Sequence, residues 1–282
     1  MRAHHLRSVL RYAWRAQTIY DVHAPLAYAF LGQVVEDDRH FYAFDQIAAQ
    51  RRTLARDGTV IALDDHGAGS QVGAAVRRRV RDILRTSGTP PRFGRYLHKA
   101  VDFTGARHVL ELGTNLGIGT AYLASALPTG GRLVTIDADE QLVARAKATV
   151  KHAAADARVS FRAGTFAAEL GPALESLGRV DLAFLDGHHE DEPTRRYFAQ
   201  VCRYRHSGTV VILDDIHWSA GMESAWEWVK ARPEVTLTLD LQRWGVAFFD
   251  PGVRHRQHLV VAPRAYKPWH VGLFAARVPQ AG

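Results

Sequence analysis

Val109-Leu110-Glu111-Leu112-Gly113-Thr114-Asn115-Leu116-Gly117-Ile118-Gly119-Thr120 decides the fold. An apolar run that reads as a buried strand ends in a glycine-rich turn, and the turn opens a helix. Glycine lets the backbone come close to a ligand, and the first turn of a helix offers amide donors with no partner of their own. The stretch therefore predicts a ligand-binding strand-turn-helix unit.

Outward from it, short apolar runs alternate with amphipathic segments. The runs are His108–Leu112, Leu133–Ile136, Val159–Phe161, Val180–Leu185 and Thr209–Leu213, and helical segments lie near 117–127, 139–152, 166–177, 192–204 and 221–231. Strict alternation of this kind predicts a parallel sheet covered by helices on both faces. The final pair, Val235–Leu239 and Trp244–Phe249, is joined only by Asp240–Arg243. That is too short for a crossover, so the pair is expected to be antiparallel. The expected fold class is α/β, a doubly wound seven-stranded sheet of five β-α units closed by an antiparallel hairpin. It occupies residues 101–262, with a tail over 263–282.

Residues 1–100 read differently. Helical spacing runs through 5–57, broken at His23-Ala24-Pro25, with a piece over Phe41–Leu54. Leu63–Ser70 is dense in turn formers, another helix is expected over Val72–Leu84, and a short one over Arg95–Val101. This third of the chain is expected to be a helical extension or lid. It holds 16 Arg/Lys against 9 Asp/Glu, the whole of the net +7. Such an excess suits an anionic partner or a solvated helical face, and Arg77–Arg81 reads as the second.

Composition narrows the rest. With 47% apolar and 23% charged residues the chain is an ordinary globular one. Cys202 is the single cysteine, which excludes an intramolecular disulfide and a cysteine-built zinc site. No signal-peptide core and no run of roughly 20 apolar residues occurs, so a cytoplasmic protein without a membrane span is expected.

Glycine loops after a strand also serve dinucleotides. Here Asn115 replaces the second glycine of G-x-G-x-x-G, and no Tyr-x-x-x-Lys pair exists to support short-chain dehydrogenase chemistry. Glu111, two residues before Gly113, would repel a pyrophosphate but suits a cationic amino acid end. Glu111-Leu112-Gly113 with Gly117 resembles the first motif of class I S-adenosylmethionine-dependent methyltransferases, in the form used by catechol and caffeoyl-CoA O-methyltransferases. The resemblance implies S-adenosylmethionine as cofactor. It places Asp137 on the ribose hydroxyls, a job suited to a carboxylate's two acceptor oxygens, the alternative being a cap for the helix that follows. It places Ala163-Gly164-Thr165 near the adenine. The implied cofactor set also includes Thr114, Asn115, Gly119, Ala138, Asp186 and His188. Val22–Pro25, Tyr42–Phe44 and Asp65–Ser70 resemble a bacterial branch of these methyltransferases and name no acceptor.

Two clusters follow the fourth and fifth strands: Asp186-Gly187-His188-His189 and Asp214-Asp215-Ile216-His217-Trp218. These strands should be neighbours, about 4.8 Å apart, so the clusters can meet beyond the carboxyl ends of the sheet. By the same resemblance Asp186 and Asp214 match two magnesium-binding aspartates, Asp215 stands for an asparagine ligand, and Asp186 is counted with the catalytic groups. His189 falls at the position of a catalytic lysine, where a histidine can act as base near neutral pH; His217 and then His188 rank behind it. The alternative for the aspartates is helix capping. Trp218 is expected to wall a pocket, and Trp226 and Trp228 to pack.

The leading expectation is O-methylation of a small-molecule hydroxyl, assisted by Mg2+. A nucleic-acid methyltransferase ranks second; no Asn/Asp-Pro-Pro-Tyr/Phe motif follows the fourth strand to support it. A non-catalytic cofactor-binding protein ranks third. A helical extension can pack between subunits, so a homo-oligomer is compatible with the sequence.

Overall fold

The computed structural model describes residues 2–63, 76–154 and 158–267. The N-terminal part contains α1 (Arg2–Arg15), α2 (Pro25–Phe30), α3 (Tyr42–Arg56), β1 (Val60–Leu63), β2 (Val76–Arg79), α4 (Val80–Ser87) and α5 (Pro91–Thr104). Then come β3 (His108–Leu112), α6 (Ile118–Ser125), β4 (Arg132–Asp137), α7 (Glu140–Ala153), β5 (Val159–Ala163) and α8 (Phe166–Leu177). The chain continues through β6 (Leu182–Leu185), α9 (Asp191–Cys202), β7 (Val210–Leu213) and α10 (Ala220–Ala231) to β8 (Leu237–Asp240), β9 (Gly245–Phe248) and β10 (Gln257–Val260).

The main sheet has the order β10-β8-β9-β7-β6-β3-β4-β5. Strand β9 slots antiparallel between β7 and β8, as the short Asp240–Arg243 connection requires. The seven expected strands are joined by an eighth, β10, parallel to β8. Strand neighbours reverse direction of winding at β3, flanked by β4 and β6, so a ligand crevice opens beyond the carboxyl ends of β3 and β6.

Alternate strand residues feed two cores. Val109, Leu182, Phe184, Val210, Ile212 and Val246 face the N-terminal helices and α6. Leu110, Leu112, Ala183, Leu185, Val211 and Leu213 face α8, α9 and α10. Helix α6 is buried along Ile118–Ala124, which is why it is apolar nearly all round. The N-terminal helices share the first core with the sheet, for the Phe30 ring lies edge-on to both Phe103, at 5.4 Å, and Phe248, at 5.2 Å.

One expectation fails in this part. The helix expected over Val72–Leu84 is instead β2 followed by α4, with 72–75 outside the described residues. Arg77, Arg78 and Arg79 are exposed on both faces of a two-stranded ribbon, so they carry no period-2 signal. The turn-rich residues 64–70 also lie outside the described residues.

Asp181 pins the sheet from below. It accepts the backbone N–H groups of Arg107 and His108, both at 2.8 Å, and lies beside His206 and Arg179 at 2.8 and 2.7 Å. Burial alone would raise its carboxyl, but these donors and charges outweigh burial and hold it well below the ordinary carboxylate range. A lowered carboxyl contributes stability above its ordinary value of 3.8, and that contribution is lost as pH falls below it. Asp181→Asn is expected to cost about 2 kcal/mol at neutral pH, read from urea midpoints, and to flatten the acid limb of the stability profile.

Candidate active site

A cavity of about 1070 Å³ opens at the carboxyl ends of the central strands. Its lining includes Gly113, Asn115, Asp137, Ala138, Thr165 and Phe166, together with Phe93, Asp186, His188, His189, Asp215, His217, Trp218 and Arg243. Leu63, Val76 and Arg78 of the β1-β2 ribbon also reach it, as do Thr86 and Ser87 at the end of α4.

The turn after β3 needs its glycines. Gly113 has φ +98°, and a Cβ there would stand 1.9 Å from the Asp186 carbonyl oxygen, so this strand end can approach β6 only without a side chain. Gly117 precedes α6 with φ +78° and abuts Ala146 of α7. Asn115, also at positive φ, is steadied by its side chain: Nδ2 donates to the Ser87 carbonyl at 3.0 Å.

Asp137 ends β4 against this turn. It accepts the N–H of Asn115 at 2.8 Å and of Asp139 at 3.1 Å. Burial raises its carboxyl, and the backbone donors of Asn115 and Asp139 oppose the rise. The capping alternative goes to its neighbour, because Asp139 Oδ1 accepts from Gln141 and Leu142 at the start of α7. Asp137 therefore faces the cavity with its carboxylate uncommitted to the helix. Thr165 caps α8 and lines the cavity, whereas Ala163 and Gly164 lie behind it.

Glu111 is placed otherwise than the sequence suggested. It is 1% exposed and does not line the cavity. Strand alternation turns it toward α6, where Oε2 accepts from Thr120 at 2.6 Å and Thr135 at 2.7 Å. Thr114 hydrogen-bonds Thr135 at 2.6 Å and is buried with it. Burial pushes the Glu111 carboxyl up to about 7, despite the two hydroxyls. A group in this position supports the turn from beneath instead of meeting a ligand's ammonium. Gly119 belongs to the same buried layer, since a Cβ on it would come within 2.9 Å of Glu111 Oε1.

The two expected clusters do converge. His189 Nε2 lies 3.5 Å from Asp186 Oδ1, and both line the cavity. His188, at φ +63°, packs against Phe166 and Tyr197, with Nδ1 3.2 Å from the Tyr197 hydroxyl. His217 does not suit the role of base. Its Nδ1 is 2.9 Å from Glu223 and its Nε2 2.8 Å from Asp240, so both ring nitrogens are engaged. Burial opposes the charged ring, but the two carboxylates outweigh it and raise the imidazolium's pKa. With each ring nitrogen engaged by a carboxylate, neither is turned toward an acceptor's proton.

The aspartates depart from the expected metal set. Asp214 is 1% exposed and gives both oxygens to Arg243, at 2.7 Å from Nε and 2.5 Å from Nη2. Arg243 Nε is also 3.6 Å from Asp215. Asp186 has its carboxyl raised by burial first and then by Asp214 and Asp215, with Arg243 opposing. Among the described residues no three His, Cys, Asp or Glu side chains are disposed to hold a metal ion. As arranged, Asp186, Asp214 and Asp215 do not fit a divalent cation. Nor do Asp214 and Asp215 cap α10, because Ser219 does so through Met222 N–H. Arg243 is the residue the sequence reading missed. The hairpin itself held the signal: Gly245 pairs with Leu213, so the residue two before it must stand beside the end of β7. Trp218 is 48% exposed at the cavity, while Trp226 is buried and Trp228 packs against the second core, as expected of each.

A methyltransferase-domain family model matches residues 110–216. Over 128 residues the chain is 32% identical to a catechol O-methyltransferase of Niastella koreensis, covering 45% of this chain and 57% of that one. Over 137 residues it is 27% identical to tricin synthase 2 of Oryza sativa, covering 48% and 46%. The chain thus spans about half the length of the curated relatives it matches. The O-methyltransferase of Bacillus cereus, solved in complex with SAH, superposes with a TM-score of 0.53 at 21% identity, over 77% of this chain and 94% of that one. TomG of Streptomyces achromogenes, solved with SAM, gives 0.52 at 21%, over 75% and 91%. These two likenesses speak for the fold. No helix among the described residues is long and apolar enough to cross a membrane. Residues 110–216 thus match a methyltransferase-domain model, and over this part the chain is similar to catechol O-methyltransferases.

Proposed function

We propose that the protein transfers a methyl group from S-adenosylmethionine to the hydroxyl of a small molecule. The observation that carries this reading is one cavity lined both by the glycine turn with Asp137 and by a charged cluster that includes His189 and Arg243. The glycine turn and Asp137 fit the cofactor. Gly113 keeps the cavity clear of side-chain bulk, and Asp137 offers oxygen acceptors to a vicinal diol. In this reading residues 101–262 carry the donor site, and residues 1–100 form an extension whose ribbon overhangs it.

S-adenosylmethionine, when bound, supplies an electrophilic methyl group and keeps the electron pair of the broken S–C bond. The chain's own contribution is positioning and proton removal. His189 takes the acceptor's hydroxyl proton as the O–CH3 bond forms, and Asp186 orients the ring of His189. Trp218 and Phe93 flank the acceptor. Because the His189 side chain is 32% exposed, water can partly replace it. His189→Ala is expected to lower kcat by about tenfold, below the usual range for a lost base, with cofactor affinity unchanged.

Calorimetric titration with S-adenosylhomocysteine tests the reading. Saturable binding in the micromolar range supports it, and no binding overturns it. A nucleic-acid acceptor is the second reading, favoured by the exposed Arg77, Arg78 and Arg79, of which Arg78 lines the cavity. Retention on a polyanion column that collapses with modest salt would support that acceptor instead.

A further inference from the structure

We infer that Arg243 takes the place of a divalent cation at the acceptor end, so that a fixed guanidinium, not a metal, holds the acceptor oxygen. The inference rests on the methyltransferase reading and concerns the same cavity.

Three observations carry it. Arg243 meets Asp214 in a two-point pair through Nε and Nη2, at 2.7 and 2.5 Å, on a carboxylate that is 1% exposed. An ion pair of this geometry is fixed in orientation as well as in charge. The pair uses the carboxylate oxygens that a cation at these strand ends would need, and Asp215, 3.6 Å from Nε, lies within the same field. Finally, Arg243 itself lines the cavity, with its guanidinium 5.6 Å from the centre of the Phe93 ring. Its third nitrogen, Nη1, has no hydrogen-bond partner among the described residues.

The backbone explains how the charge is delivered. Strand β9 runs antiparallel to β7 with Gly245 opposite Leu213, so the turn before β9 ends beside Asp214 and Asp215. Ile216 N–H donates to the Arg243 carbonyl at 3.2 Å, which ties the two loops together. Arg243 is thus held by main chain and side chain at once. In the transfer, Nη1–H donates to the acceptor oxygen while its proton passes to His189. The O–CH3 bond forms, the S–CH3 bond breaks with its pair left on sulfur, and Arg243 stays protonated throughout. A donor fixed where negative charge develops needs no reorganisation when the reaction occurs.

The test is uptake of Mn2+, followed by electron paramagnetic resonance, in protein already saturated with S-adenosylhomocysteine. The wild-type protein is expected to take up no ion saturably to about 1 mM. Arg243→Gln, which frees both Asp214 oxygens, is expected to take up one equivalent, and Arg243→Gln with Asp214→Asn to lose it again. Saturable uptake by the wild type that Asp214→Asn abolishes would overturn the inference, as would an Arg243→Gln variant that binds S-adenosylhomocysteine but no Mn2+. Either result leaves the methyltransferase reading intact, whereas failure of the wild type to bind S-adenosylhomocysteine overturns that reading by itself.

Discussion

Asp137→Ala is expected to weaken S-adenosylhomocysteine binding about 100-fold, measured by calorimetry, while the thermal midpoint changes little. Hydrogen bonds to an ionised group contribute about 1.5–3 kcal/mol each, and about 2.7 kcal/mol is a hundredfold in Kd. The binding loss follows from the carboxylate's place at the cavity, between the turn after β3 and the start of α7. The small stability change follows from a balance. Removing Asp137 frees the N–H groups of Asn115 and Asp139, but it also removes a carboxyl whose charged form burial disfavours. Asp137→Asn keeps one acceptor oxygen and should fall between wild type and alanine. Equal affinity in wild type and Asp137→Ala would remove Asp137 from the ligand's surroundings.

Glu111→Gln should stabilise the ligand-free protein by about 3 kcal/mol at pH 8 and by almost nothing at pH 4.5. The Glu111 carboxyl rises from 4.5 to about 7 on folding, because burial penalises its charged form. A raised carboxyl gives its full stability below its unfolded value and loses it as pH climbs through the folded one, at about 1.4 kcal/mol per unit. The window is therefore pH 4.5 to 7. Glutamine has nearly the same shape, and its amide oxygen can accept from Thr120 and Thr135 as Oε2 does. Urea midpoints of both proteins across this window check the claim. Parallel profiles would mean that Glu111 does not titrate there.

How much of this was legible in the sequence depends on which force set each feature. The turn from Gly113 to Gly119 was readable because steric demands leave few residue types to choose from. The antiparallel insertion of β9 was readable because chain length forbids a crossover. Strand β2 was not, since three exposed arginines on a ribbon have no buried face to impose alternation. Strand β10 escaped for a related reason: Gln257–Val260 has one exposed and three half-buried residues, and among the described residues its far side carries only the bridge between Gln17 and Val261. At the site, residue types at strand ends pointed to side chains that line one cavity. What they could not reveal was who partners whom. Asp214 reads as a metal ligand until Arg243 arrives from another part of the chain, and Glu111 reads as a ligand contact until Thr120 and Thr135 close over it.

The insertion of β9 between β7 and β8 has a consequence for how the molecule is made. Strand β4 pairs with β3 and β5, its neighbours in sequence, so this edge of the sheet can form early from contacts that close short loops. The pair between Arg243 and Asp214 must wait until β9 has left the ribosome and wedged itself beside β7. A nascent chain halted before residue 240 is therefore expected to have made Asp137, His189 and Asp214 but to lack the guanidinium that pairs with Asp214.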